Sequence, residues 1–158
     1  MSLEHELGLK KPIALLPHRA LLNIYYTASC LKKQAAEFFR HFGMTDVQFN
    51  VMMLLHHQSG SVGGLSQAQL SDMMLVNRAN ITSLVDRMEK ADLVVRTAAP
   101  SDRRYNIIKL TTRGKKLLAQ VEPLYAKEVK RIVAPLREAE QRKLIQMLGN
   151  VRGKLPNA

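Results

Sequence analysis

Short polar side chains and arginines recur along one stretch near the middle of the 158-residue sequence. If residues 78–90 form a helix whose apolar residues face inward, its outer face carries Arg78, Asn80, Thr82, Ser83 and Arg87. Short amide and hydroxyl groups beside guanidinium groups can hydrogen-bond to the base edges and phosphates of a nucleic acid. An ordinary solvated helix face would carry more Lys and Glu, so these residue types favour recognition of nucleic acid.

Residue sets typical of catalysis or metal binding do not stand out. We find no Ser/His/Asp or Cys/His set, no paired carboxylates and no Gly-rich phosphate loop, so an enzyme is not predicted. His56 and His57 are neighbours on a predicted helix, where successive side chains point about 100° apart, and one metal ion cannot easily use both. The other histidines are scattered, so neither a metal site nor a cofactor is predicted. Cys30 is predicted to be a buried, inert thiol and not a redox switch.

The composition describes a folded, basic protein. The chain has 24 Lys and Arg against 13 Asp and Glu, a net charge of +11, and 46% apolar residues, enough to build a core. A single cysteine excludes an internal disulfide scaffold, and no apolar run approaches the ~18 residues of a membrane span. We therefore expect a cytoplasmic protein with a polyanionic partner. The basic residues do not share one amphipathic face, which favours nucleic acid over a membrane surface.

The elements that must position the polar residues are mainly helical. Apolar periodicity and capping signals predict an irregular arm over residues 1–17 and a helix from His18 to about Phe42. Ser66 and Gln69 have the spacing of a capping box, which opens a short bracing helix. The remaining predicted elements are helices at 45–58 and 77–90, strands at 93–98 and 105–110, and helices from 111 to about 134 and from 138 to about 153.

Two short helices followed by a basic hairpin are the parts of a winged helix-turn-helix. The first helix braces the second, and the second fits the major groove of DNA, which is about 12 Å wide. The hairpin, or wing, carries Arg103 and Arg104 at its tip, where they can reach phosphates or the minor groove. In an isolated hairpin they would be solvated turn residues, but after these two helices we predict that they contact DNA.

In this order and spacing, the motifs resemble those of the MarR family of bacterial transcriptional regulators over about residues 20 to 150. The matching segments are Thr45-Asp46-Val47-Gln48-Phe49-Asn50-Val51, Leu65-Ser66-Gln67-Ala68-Gln69-Leu70, Val76 to Lys90, Asp102-Arg103-Arg104 and Ile108 to Gly114. The family usually has Gly just after the recognition helix, where this chain has Asp92. Asp tolerates the left-handed conformation better than most residues, so the helix end is expected to survive.

The resemblance implies a mainly α fold with a small β-hairpin wing, in which the N- and C-terminal helices form a dimerisation region. Residues 1–44 would hold the arm and first dimerisation helix, 45–112 the winged helix-turn-helix lobe, and 113–158 the C-terminal dimerisation helices. The implied function is that of a sequence-specific, ligand-responsive repressor, a homodimer on a pseudo-palindromic operator in double-stranded DNA. The alternative is an architectural or non-specific nucleic-acid-binding protein that uses the same basic surface.

By the same resemblance, eleven residues should lie at the DNA. Asp102 would orient one of the wing arginines through a charge-assisted hydrogen bond. The full set is Ser66, Gln67, Asn77, Arg78, Asn80, Thr82, Ser83, Arg87, Asp102, Arg103 and Arg104.

The resemblance also places an effector cavity where the first two long helices meet the DNA-binding lobe. Tyrosine rings and hydroxyls in basic surroundings would suit a small aromatic or phenolic anion. The candidate lining residues are Tyr25, Tyr26, Ser29, Phe49 and Met53. The alternative is that the two tyrosines only pack the dimer interface.

Overall fold

The structure is a computed structural model that describes residues 2–74, 78–98 and 106–155. These residues are mainly helical and contain one antiparallel hairpin, which confirms the predicted fold class. In chain order the elements are α1 (Leu3–Glu6), α2 (Leu16–Arg40), α3 (Asp46–His57), a 3-10 turn (Gly60–Val62), α4 (Gln67–Met74), α5 (Arg78–Lys90), β1 (Val94–Ala98), β2 (Asn106–Leu110), α6 (Thr112–Val133) and α7 (Glu138–Arg152).

The chain divides into two units, the first ending at Asp46 and the second beginning at Val47. The first unit contains α1 and α2. The predicted irregular arm holds a one-turn helix, because the hydroxyl of Ser2 accepts a hydrogen bond from the backbone N–H of His5 at 3.4 Å.

Helix α2 differs from the prediction at its start and in its burial. It begins at Leu16 and not at His18, because Pro17 sits in the first turn, where the helix needs no amide hydrogen from it. It is followed by Gly43 with φ of +66°, the left-handed conformation expected where a helix ends. Cys30 is exposed and not buried as predicted, because most side chains around it on α2 are open to solvent in the single chain.

The core of the second unit takes apolar side chains from each of its long elements except α7. One face of α3 is formed by Phe49, Met52 and Leu55, all buried. His56, which follows Leu55 on α3, is exposed. The other fully buried side chains include Leu70, Ile81, Val85, Met88, Val94, Ile108, Leu118 and Val121. Within the described ranges, no helix has both the length and the apolar character needed to cross a membrane.

The hairpin pairs β1 with β2 in antiparallel register, from Val94 opposite Leu110 to Ala98 opposite Asn106. Both strands lie where the sequence predicts them: β1 begins one residue later than predicted, and the described part of β2 begins at Asn106. Residues 99–105, which include the predicted tip, lie outside the described residues.

Glycine is required where α6 begins. Thr111 caps this helix, its Oγ1 accepting a hydrogen bond from the backbone N–H of Gly114 at 2.9 Å. A Cβ atom on Gly114 would lie 2.1 Å from the carbonyl oxygen of Leu93. The start of α6 therefore packs directly against the backbone that leads into β1.

The end of α5 confirms the expectation for Asp92. This residue has φ of +56°, and it is the only described residue other than glycine with a positive φ. The next N–H, from Leu93, donates back to the carbonyl of Met88 at 2.9 Å. Asp92 thus turns the chain from α5 directly into the hairpin.

Candidate nucleic-acid interface

Helix α5 separates a buried apolar face from an exposed polar one. Ile81, Leu84, Val85 and Met88 are between 0% and 5% exposed. The opposite face exposes four of the predicted DNA contacts, Asn80, Thr82, Ser83 and Arg87. Because the apolar face of α5 is buried in the core, the helix cannot rotate about its axis, and its polar face must point towards solvent.

The capping box predicted at the start of α4 is present in both directions. The N–H of Gln69 donates to Ser66 Oγ at 3.1 Å, and the N–H of Ser66 donates to Gln69 Oε1 at 2.8 Å. Gln67 Nε2 reaches the hydroxyl of Thr82 on α5 at 3.5 Å. The first turn of α4 is therefore held beside the exposed face of α5, as the resemblance implied.

A backbone bridge joins the segment before α4 to the wing. Leu65 exchanges two hydrogen bonds with Ile108 of β2, at 3.1 and 2.8 Å. Gly64 makes this approach possible, because a Cβ atom there would lie 2.7 Å from the carbonyl oxygen of Ile108. The bracing helix and the hairpin are thus connected through the backbone itself.

Arg96 on β1 ties the hairpin to α5. Its Nη2 donates to Asp86 Oδ1 at 2.6 Å, its Nη1 donates to Glu89 Oε2, and its backbone N–H donates to Glu89 Oε1 at 3.1 Å. Partial burial of the guanidinium lowers its pKa, but the hydrogen bonds to both carboxylates outweigh burial, and the pKa is raised. Arg96 therefore stays charged and offsets two acids near the polar face, which would otherwise repel phosphates.

Sequence reasoning missed the role of Arg96. The available signal was the three-residue spacing of Asp86 and Glu89, which puts both acids on one side of α5, followed by a single arginine among apolar strand residues. The sequence does not show that β1 folds back along α5, which is what brings Arg96 to these two acids.

Six of the eleven residues predicted at the DNA lie at the start of α4 or on the outer face of α5, and the hydrogen bond from Gln67 to Thr82 joins the two groups. The six are Ser66, Gln67, Asn80, Thr82, Ser83 and Arg87. Arg87 lies along its own helix, with Nε donating to the carbonyl of Ser83 at 3.3 Å. Arg78 is the first residue of α5, and its side chain is outside the described part. Asn77, Asp102, Arg103 and Arg104 also lie outside the described residues.

The predicted effector residues fall in both units. Tyr25, Tyr26 and Ser29 lie on α2, and Tyr25 is 62% exposed. Phe49 is buried on α3 and packs edge-to-face against Tyr125 of α6, with ring centroids 4.9 Å apart. Met53 lines an open pocket of about 430 Å³ formed by residues of α3 and α4, together with Asn50, Leu54, His57, Gln58, Met73 and Met74.

The two neighbouring histidines at the end of α3 lie closer together than the 100° between their side-chain directions suggests. The rings of His56 and His57 approach to 4.6 Å between centroids, and Glu122 of α6 lies beside them. At the end of a helix, rotation about the side-chain bonds of two neighbours can bring their ring nitrogens together despite diverging Cα–Cβ bonds.

Comparison with known proteins agrees with this architecture. The MarR family model matches residues 42–104. The HTH-type transcriptional regulator MhqR of Bacillus subtilis (strain 168) is 32% identical over 109 residues, which are 69% of this chain and 72% of MhqR.

Two solved structures show the same fold. The DNA complex of S. aureus MepR has a TM-score of 0.75 at 22% identity, covering 84% of this chain and 94% of MepR. CouR from Rhodococcus jostii RHA1, bound to p-coumaroyl-CoA, has a TM-score of 0.76 at 19% identity, covering 91% and 99%. Together with the exposed polar face of α5, its bracing helix and the hairpin, the match to MhqR establishes that the chain belongs to the MarR family of winged helix-turn-helix transcriptional regulators.

Proposed function

We propose that this chain is a sequence-specific, ligand-responsive transcriptional repressor that binds a pseudo-palindromic operator as a homodimer. The observation that carries the proposal is the division of α5, whose inward face is fully buried while Asn80, Thr82, Ser83 and Arg87 face outward. In this proposal the protein is not an enzyme, and it lies in the cytoplasm with the DNA that it binds.

The proposed contacts divide by chemistry. The amide of Asn80 and the hydroxyl of Thr82 are short groups that can read base edges in the major groove. Ser66 and Gln67, at the start of α4, and Arg87 on α5 suit phosphates. Their hydroxyl, amide and guanidinium groups can donate hydrogen bonds to an anion. Asn77, Arg78, Ser83 and the wing residues Asp102, Arg103 and Arg104 complete the proposed set.

The homodimer is supported by apolar side chains that the single chain leaves in solvent. On α7 and just beyond it, Leu144, Ile145, Met147, Val151 and Leu155 are between 42% and 68% exposed. On α2, Leu16, Leu21 and Leu31 are between 43% and 63% exposed. A monomer rarely leaves such apolar surface uncovered, so we expect sedimentation to give a dimer and no folded monomer at micromolar concentration.

Specific binding is tested by selecting bound sequences from random DNA. A repressor should bind the selected site at least ~10³-fold more tightly than random DNA at the same salt concentration. The alternative is an architectural or non-specific binder, which the net charge of +11 favours. It requires a ratio near one between the affinity for the selected site and the affinity for random DNA.

Asn80→Ala should change which bases are selected, whereas Arg103→Ala and Arg104→Ala should weaken binding by about 1–3 kcal/mol per half-site for all sequences. Lys143→Ala, an exposed change on α7, serves as the control.

The proposed effector is a small aromatic or phenolic anion. The net charge of +11 favours an anion, and tyrosine and methionine side chains suit an aromatic ring. Salicylate-like acids should weaken the protein–DNA complex at millimolar concentration. Tyr26→Phe and Met53→Ala, one in each unit, test the candidate residues separately. If no such acid acts and Tyr26→Phe changes nothing, the effector assignment fails while DNA binding stands.

A further inference from the structure

Two histidines and one glutamate meet where the end of α3 contacts α6. His57 Nε2 lies 2.8 Å from Glu122 Oε1, and the rings of His56 and His57 are 4.6 Å apart at an angle of 79°. One ligand atom from each of the three residues lies within 4.8 Å of the other two. The proposed DNA contacts use none of these residues.

The two helices that present this cluster are held by the core beneath it. Phe49 and Tyr125 join α3 to α6 by an edge-to-face contact, and Tyr125 lies one helical turn beyond Glu122. Leu55 and Val121, next to the cluster in sequence, are both buried. The helix backbones are therefore fixed, while the side chains of His57 and Glu122 remain 45% and 33% exposed and can rotate.

Imidazole nitrogen and carboxylate oxygen are together a donor set for divalent transition-metal ions. A tetrahedral ion with bonds of ~2.1 Å needs its donors about 3.4 Å apart, so rotation of exposed side chains is enough to close the spacing. Mg²⁺ and Ca²⁺ prefer all-oxygen sites and are disfavoured. We propose that His56, His57 and Glu122 bind one divalent first-row transition-metal ion, for which Zn²⁺ is the best match, with water in the remaining position.

The requirement for His56 distinguishes a metal site from a simple ion pair between His57 and Glu122. A hydrogen bond between His57 and Glu122 that only links the helices needs no third partner. A metal site needs His56, because two protein ligands hold a transition metal far more weakly than three. Removing His56 therefore leaves the helix–helix hydrogen bond intact and removes only the third ligand.

The test is calorimetric titration of the full, tag-free chain with Zn²⁺ in the absence of DNA, with Co²⁺ absorption as a second readout. We expect one Zn²⁺ per chain. His56→Ala and Glu122→Gln should each weaken binding at least about tenfold. His18→Ala, which removes an exposed histidine from the first turn of α2, is the matched control and should bind as the wild type does.

Thermal unfolding gives an independent measurement. A Zn²⁺ concentration that saturates the wild type should raise Tm equally for the wild type and for His18→Ala, because the ion links two helices of the folded state, and it should raise Tm less for His56→Ala. Absence of Zn²⁺ binding by the wild type would overturn the proposal. Equal binding by His56→Ala and His18→Ala would do the same. Since no DNA is present, either result leaves the proposed repressor function untouched.

Discussion

The tie between β1 and α5 can be measured by replacing Arg96 with methionine, which keeps an unbranched side chain and removes the guanidinium. The substitution deletes two charge-assisted hydrogen bonds, to Asp86 and to Glu89, while the backbone N–H bond to Glu89 remains. Buried bonds of this kind contribute ~1.5–3 kcal/mol each, and exposed pairs ~0.2–1 kcal/mol. Arg96 is 23% exposed, but Asp86 and Glu89 are 51% and 38% exposed. We therefore expect unfolding to become easier by about 2 kcal/mol in total.

The assay is urea unfolding followed by circular dichroism, with a thermal scan in parallel. For a chain of this size, a loss of about 2 kcal/mol should lower Tm by about 4–8 °C. Arg142→Met is the control, since Arg142 pairs with Glu138 on the surface of α7 and both side chains are more than three-quarters exposed. That variant should unfold as the wild type does.

A double-mutant cycle separates the ion pair from other effects of the substitution. If Arg96 and Glu89 stabilise each other, adding Glu89→Gln to Arg96→Met should cost less than Glu89→Gln costs in the wild type. Equal losses for Arg96→Met and Arg142→Met, or strictly additive losses in the cycle, would refute the claim that Arg96 ties the hairpin to α5.

Substitutions at three further positions test the elements around the interface by urea unfolding. Gly114→Ala should destabilise the fold by about 3 kcal/mol, because its Cβ would lie 2.1 Å from the carbonyl oxygen of Leu93; wild-type stability would contradict that close approach. Ser66→Ala should cost about 1 kcal/mol through loss of the hydrogen bond from the N–H of Gln69, and an unchanged midpoint would argue against the cap. Asp92→Ala should cost about 1 kcal/mol and Asp92→Gly should not, since φ at this residue is +56°; the reverse order would contradict the left-handed assignment.

Local signals in the sequence determined most of the helix and strand boundaries. Ser66 and Gln69 form the reciprocal cap that their spacing predicts, and Thr111 caps α6. Apolar periodicity correctly separated the inward and outward faces of α5. Such signals succeed because capping and amphipathicity depend on residues three or four positions apart, and that spacing is visible in the chain itself.

Contacts between elements were decided only by the tertiary structure. The ion pairs of Arg96 join residues seven and ten positions apart across a turn, and the bond between His57 and Glu122 spans 65 positions. The periodic apolar face of α2 could not reveal that Cys30 would be exposed in the single chain. Helical periodicity specifies which side chains share a face, but only the packing of one element against another specifies what that face meets.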